Sequence, residues 1–505
     1  MVVSQRHIAG ALSGILLAIL LGALDATIVV PALPVMAVDF KGLEHLSWVV
    51  VAYLLTATAL TPIYGKLSDI YGRGRLLQIA IALFVLASVF CALAQTLPQL
   101  VAARALQGAG GGGLFVMAQA MIADFISARE RGRFQVYTAT MWALASIAGP
   151  PVGGWFVDHL SWRWVFWINL PLGFIAFVLC RRAAARLHVE HHKTSIDYAG
   201  ALLLAAAVTG LLLVLTWGGI TYPWISPMIV GTLAASTAIF AVFIALERRI
   251  AEPLLPARIY ANGVIAVTSA IGFLTSVLMV GSIVMFPVFF ELVMGFNAGN
   301  AGILLVPLQS GVTVTSYAAG IFMRRTGRYK LIPPVSLTAA VAGSLLLATI
   351  GATTNPIVTM LYSAVLGLGI GASFPVVTIA AQNAADQRDL GVATSMVTFS
   401  RQLGGAFGAA MFWSIILGVM SGDLHGSGME AARKALLSGG RAALEQLPAS
   451  GRDAIIDALV HGFHAAFVAA AAISLLAIAF SLMLKEEPLS AVPRGHVAPV
   501  QRLDA

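Results

Sequence analysis

Ionisable side chains inside apolar runs are rare, because each costs roughly 2.5 to 3.5 kcal/mol at the centre of a spanning helix, and those that persist mark pathways, ion pairs or proton relays. Three stand out here: Asp25, Arg104 and Arg401. Asp25 lies about five residues past the middle of the first apolar run, and Arg104 about seven before the middle of the fourth. At ~1.5 Å per residue, both fall roughly 8 to 10 Å to the same side of a bilayer midplane. Burial penalises a charged carboxylate and a nearby guanidinium favours it, so a changing separation between the two would load and unload a proton. The alternative is a hydrogen-bonded structural carboxylate beside an arginine that binds helix carbonyls.

Arg401, in TSMVTFSRQLGGAFG, either lines a cavity or packs against helix ends. Glu291 closes an apolar run at its edge, where it is either solvated or in contact with a cationic substrate. In GKLSDIYGRGR, Gly65 and Gly72 permit a sharp turn, and Asp69 with Arg73 and Arg75 can form charge-assisted bonds that latch one face shut. AGPPVGG, with Gly149, Pro150, Gly153 and Gly154, removes backbone donors and side chains together, which predicts a kinked and closely packed helix. Tyr53, Met117, Trp142 and Phe286 are candidates for an adaptable apolar cavity. Gly108 to Gly113 fits GxGxxG in form, but it sits inside an apolar run with no preceding strand, so it reads as a helix-packing surface. No GxxxxGK[ST] string occurs, and HVEHH at His188 to His192 lacks a second ligand group at metal-site spacing. No cofactor and no metal are expected, and the energy source expected is a proton gradient.

The elements that must position these residues follow from composition. Of the 505 residues 59% are hydrophobic and 10% charged, against roughly 25% charged in soluble domains. The mean hydropathy is +0.90. Apolar runs of ~20 residues begin near Ile8, Ser47, Leu76, Gln99, Phe134, Trp164, Ile196, Pro227, Val264, Ala298, Leu331, Pro356, Leu390 and Ala458, which predicts fourteen spanning helices. With the amino terminus cytoplasmic, 22 of the 30 Lys and Arg fall on the cytoplasmic side and six on the other. Both termini are therefore expected inside. The +8 charge is spread in short clusters between runs rather than along one face, which argues against nucleic acid. Cys91 and Cys180 lie in or beside apolar runs, so neither a disulfide framework nor a thiolate metal site is expected.

An internal repeat sets the organisation. Gly65, Gly72, Arg73 and Arg75 recur as Gly320, Gly327, Arg328 and Lys330, and Gly108, Phe115, Arg129 and Gly132 recur as Gly367, Phe374, Arg388 and Gly391. Two halves running in the same direction are the plan of a large class of transporters. The expected division is a six-helix half over 1–187, two inserted helices with flanking loops over 188–258, and a second six-helix half over 259–487. The second half carries an outer loop at 421–457, read as a linker rather than a lid, and a flexible cytoplasmic tail follows at 488–505.

The strings LDATIVVPALP, GKLSDIYGRGR, RALQGAGGG, GPPVGGWF, WRWVFWINLPLG and SRQLGGAFG together resemble the fourteen-helix drug:proton antiporter branch of the major facilitator superfamily. The resemblance runs from the first helix to the thirteenth. It implies an all-α integral membrane protein of major facilitator fold, with Asp25 as the membrane acid, Arg104 as a proton-relay arginine, Asp69 as a gating acid and Gly149 to Gly154 as the antiporter motif. Ala145, Ile70, Gly74 and Glu291 depart from the usual pattern, which touches substrate range and latch strength more than fold. The function expected is proton-coupled export of lipophilic, optionally cationic, drugs or toxic small molecules across the inner membrane by a monomeric unit; a periplasmic adaptor is neither required nor ruled out. A dedicated lipid, siderophore or metabolite exporter is the alternative within transport, and a membrane receptor or scaffold the alternative outside it.

Overall fold

Backbone in hydrocarbon has no water to bond to, so each apolar run must close its N–H···O=C bonds within itself. The computed structural model describes residues 5–41, 45–125, 128–184, 197–218, 222–250, 262–385, 390–424 and 443–487, with 436, 440 and 441. Among the described residues the chain is helical, with no strand and an isolated bridge between Gly218 and Tyr222. The helices are α1 (Gln5–Ile28), α2 (Leu33–Asp39), α3 (Ser47–Tyr71), α4 (Arg73–Leu93), α5 (Leu97–Phe125), α6 (Ala128–His159), α7 (Trp164–Trp167), α8 (Asn169–Ala184), α9 (Tyr198–Trp217) and α10 (Pro227–Glu247). After these come α11 (Gly263–Val288), α12 (Ala298–Leu304), α13 (Val306–Thr326), α14 (Ile332–Leu347), α15 (Pro356–Gly371), α16 (Ser373–Ala384), α17 (Leu390–Leu424) and α18 (Ala449–Leu482). Among the described residues ten helical segments are long and apolar enough to cross a membrane, and shorter apolar helices lie at Trp48–Thr61, Ala199–Leu215 and Ile332–Leu347.

Glycine decides how closely these rods approach. On α5, a Cβ at Gly108 or Gly112 would strike the carbonyls of Tyr53 and Ala57 on α3, and one at Gly110 would strike Phe84 on α4. The GxGxxG stretch is thus a packing surface for two neighbours. The second half repeats the arrangement: Gly367 and Gly371 meet Leu308 and Val312 on α13, and Gly369 meets Ala340 on α14. The turn repeat also survives in three dimensions. Gly72 (φ 87°) joins α3 to α4 as a single residue, and Gly327 (φ 67°) ends α13. Both backbones lie where a Cβ is strained.

The halves meet where α3 packs on α17 and where α6 packs on α12 and α13; α9 leans on both α3 and α17. At the charge-poor end the fit is tight. A Cβ at Gly153 would meet the Ile28 carbonyl, and one at Gly154 the Ala298 carbonyl. Asp158 Oδ2 there accepts from the Gly299 N–H at 2.9 Å. The helix carrying AGPPVGG runs unbroken through Pro150 and Pro151, so close packing rather than interruption is what the motif produces. At the opposite end Tyr329 fixes the end of the last helix, its hydroxyl donating to the Lys485 carbonyl at 3.1 Å and accepting from Glu487 N–H at 3.0 Å. Burial pushes that hydroxyl's pKa up.

The described part of the 421–457 segment docks onto the bundle. Arg441 Nη1 donates to the Leu292 and Val293 carbonyls at 2.9 and 3.4 Å, while Gly440 packs on Val38. The loop thereby touches both halves. The HVEHH cluster, most of 421–442 and the 488–505 tail lie outside the described residues.

Candidate functional site

Helices α1 and α5 bring Asp25 and Arg104 together. Arg104 Nη1 donates to Asp25 Oδ2 at 2.8 Å, with Asp25 fully buried and Arg104 2% exposed. The two share a layer as their distances from the helix centres required. The rest of the cluster comes from amides and a hydroxyl on three helices, α4, α5 and α8. Gln107 Nε2 and Asn169 Nδ2 each donate to Asp25 Oδ1 at 2.8 Å. Gln107 Nε2 also lies 2.8 Å from Ser88 Oγ, which donates to the Phe84 carbonyl. Arg104 further donates to Gln107 Oε1 at 2.6 Å and, through Nε, to the Val49 carbonyl at 3.0 Å. Its guanidinium carbon sits 4.4 Å from the centre of the Tyr53 ring and 5.8 Å from that of Phe166.

This is a carboxylate with three charge-assisted donors in an apolar shell, an arrangement in which low local polarity strengthens each bond. Gln107, Asn169 and Ser88 were not singled out by sequence reasoning. Their signal was available: Gln107 follows Arg104 by three residues, on the same helical face, and Asn169 is an amide inside an otherwise apolar run. Asn169 Oδ1 is buried without a partner, so one acceptor of the cluster remains unfilled.

The other candidates separate. Tyr53 belongs to the cluster, and its hydroxyl end lies against Gly111. Met117 is buried in the first-half core, whereas Trp142 is 40% exposed and edge-on to Phe115 at 6.3 Å. Phe286 is fully buried, stacked on Phe290 at 5.6 Å and beside Phe467 at 5.7 Å, which makes it core between α11 and α18. Gly149 packs on Thr27, two residues after Asp25. Gly65 and Asp69 fall near the end of α3, and the Asp69 side chain lies outside the described residues; Arg73 follows the Gly72 turn and Arg75 is exposed. Glu291 sits in a π-helical turn, Phe289–Val293, 8% exposed and with Oε1 unpartnered. It is a buried acid rather than a solvated helix end. Arg401 lies between α11 and α16, its guanidinium carbon 4.3 Å from the centre of the Phe374 ring.

Residues 15–409 match the description Major Facilitator Superfamily. The chain belongs to that superfamily. As a member it is a multi-pass membrane protein and a secondary transporter rather than an enzyme. Among its relatives, the uncharacterized MFS-type transporter Rv1877 of Mycobacterium tuberculosis is 36% identical over 472 residues, covering 94% of this chain and 69% of the relative. The multidrug transporter protein MdtP of Bacillus subtilis is 35% identical over 416 residues, covering 82% and 76%. A solved bacterial homolog of the human lysosomal transporter Spinster, inward-facing and unoccupied, superposes with a TM-score of 0.68 at 14% identity, covering 95% of this chain and 98% of that one. At that identity the likeness speaks for the fold alone.

Proposed function

We propose that this superfamily member is a proton-coupled antiporter that exports lipophilic drugs or other toxic small molecules by alternating access. The observation that carries the reading is the buried Asp25 carboxylate, held by Arg104, Gln107 and Asn169 on helices that belong to one half of the molecule. A proton on Asp25 would cancel its charge, weaken its hold on Arg104 and change how α1 packs on α5. That coupling is what antiport needs, because protonation must favour one orientation of the halves over the other. Multidrug transporters among the relatives support a lipophilic cargo.

We read the rods as fourteen spans in groups of six, two and six, with α9 and α10 as the inserted pair. The lysine and arginine distribution supports cytoplasmic termini in an inner membrane. The tight contacts of Gly153 and Gly154 would then close the outer face, leaving α3 and α17 to part at the inner one. Each proton moved inward supplies about 2.3 kcal/mol per 100 mV of membrane potential.

The test is transport in proteoliposomes with an imposed pH gradient, across a panel of lipophilic drugs. Unmodified protein should move cargo against its gradient and Asp25→Asn should not. Gradient-driven transport by Asp25→Asn at the unmodified rate would remove the coupling role.

A further inference from the structure

Two guanidinium groups of the spanning region are treated in opposite ways. Arg104 has a carboxylate, an amide oxygen and a backbone carbonyl. Arg401, inside the apolar stretch Met396–Leu424, has no ion pair or hydrogen bond among the described residues, and its Nε is buried without an acceptor. The contacts it makes with the described residues are apolar. Phe374 lies under the guanidinium, Gly272 faces its Cγ, and Val377 borders the same gap. The residue is nevertheless partly exposed, so the pocket opens to something. Glu291 is no counter-ion. It stands 19 residues beyond Gly272 along α11 and its π turn, roughly 28 Å at ~1.5 Å per residue.

We propose that Arg401 is a recognition site for the anionic headgroup, a carboxylate or phosphate, of an amphiphilic substrate whose apolar body lies against Phe374 and α11. The proposal rests on the transport reading and deepens it. A guanidinium with its face on an aromatic ring keeps its edge free for a planar anion, which can take two parallel N–H donors. An uncompensated cation in an apolar pocket is costly, so an anion that supplies the missing acceptor is favoured and a cationic ligand is disfavoured. The position is also suited to signal occupancy. The next residue, Gln402, is 3.3 Å from Thr61 Oγ1 across the junction of the halves, the surface that alternating access must open. The expectation of a cationic substrate drew on Glu291, which faces a different region.

The experiment uses purified full-length protein in zwitterionic nanodiscs, with no pH gradient, and three fluorescent probes of one shape: 1-pyrenebutyrate, 1-pyrenebutanamide and 1-pyrenebutyltrimethylammonium. Empty nanodiscs give the partition background. The butyrate should bind at least tenfold more tightly than the amide, and the ammonium more weakly than either. Arg401→Gln should lose that tenfold preference while binding the amide unchanged, which shows a folded pocket, and Arg401→Lys should keep part of it. A second arm adds phosphatidylglycerol to the nanodiscs. Weakened butyrate binding in the unmodified protein but not in Arg401→Gln identifies lipid headgroup as an occupant of the same site, whereas unchanged binding assigns the site to the free amphiphile. Equal binding of the three probes, no butyrate binding above empty nanodiscs, or an equal loss of all three in Arg401→Gln overturns the proposal. Because no proton gradient is involved, failure of the Asp25 coupling scheme leaves this result standing, and the reverse.

Discussion

Removing either member of the Asp25–Arg104 pair should cost far more than removing both. In Arg104→Met the contacts to Asp25 at 2.8 Å, Gln107 at 2.6 Å and the Val49 carbonyl at 3.0 Å vanish, and a buried carboxylate keeps only amide donors. Breaking one side of a buried pair costs about 3–5 kcal/mol, and Asp25→Leu, which strands the guanidinium, should cost a similar amount. In the double variant no charge remains. Gln107 and Asn169 both keep Ser88 Oγ within reach, at 2.8 and 3.3 Å, and the main residual defect is Gln107 Oε1, left with only the Cys91 thiol at 3.5 Å as donor. That defect is worth about 1–3 kcal/mol. The double-mutant cycle should therefore show a coupling of about 6 kcal/mol, measured by denaturant unfolding in bicelles. Proteoliposomes carrying the double variant should transport nothing under a pH gradient despite the recovered stability. Additive single losses would refute the pairing, and gradient-driven transport by the double variant would refute the role assigned to it.

Gly154→Val places side-chain atoms against the Ala298 carbonyl, so the charge-poor end should no longer close; in an Asp158→Cys background, labelling by a membrane-impermeant maleimide should rise several-fold. Gly72→Ala should lower stability by at least about 1–2 kcal/mol, because φ 87° is strained for any side chain; thermal unfolding should place it below Gly327→Ala, whose φ of 67° lies in the milder left-handed region. Arg441→Ala removes the two bonds to the Leu292 and Val293 carbonyls, about 1–2 kcal/mol of loop docking, and hydrogen exchange over 436–447 should accelerate without change in the α1 to α8 core.

Helix was forced on this chain by hydrocarbon, since an apolar run with no water can satisfy its backbone only internally, and the sequence displays those runs directly. The positive-φ turn after α3 and its echo after α13 were legible for a similar reason: glycine is required where a Cβ is strained, and Gly72 and Gly327 are spaced as the repeat spaces them. So too was the shared depth of Asp25 and Arg104, which follows from helical rise alone. The sequence could not say that Gln107, Asn169 and Ser88 complete the cluster, because which faces of α4, α5 and α8 turn towards α1 is settled by packing between helices. Nor could it separate Phe286 from a cavity wall, since an aromatic side chain reads alike whether it meets a ligand or Phe290 and Phe467. The contrast between a compensated Arg104 and an Arg401 without an ion pair or hydrogen bond among the described residues likewise exists only in three dimensions. Residue type fixes a charge, but whether that charge finds its opposite depends on which helices the fold brings alongside.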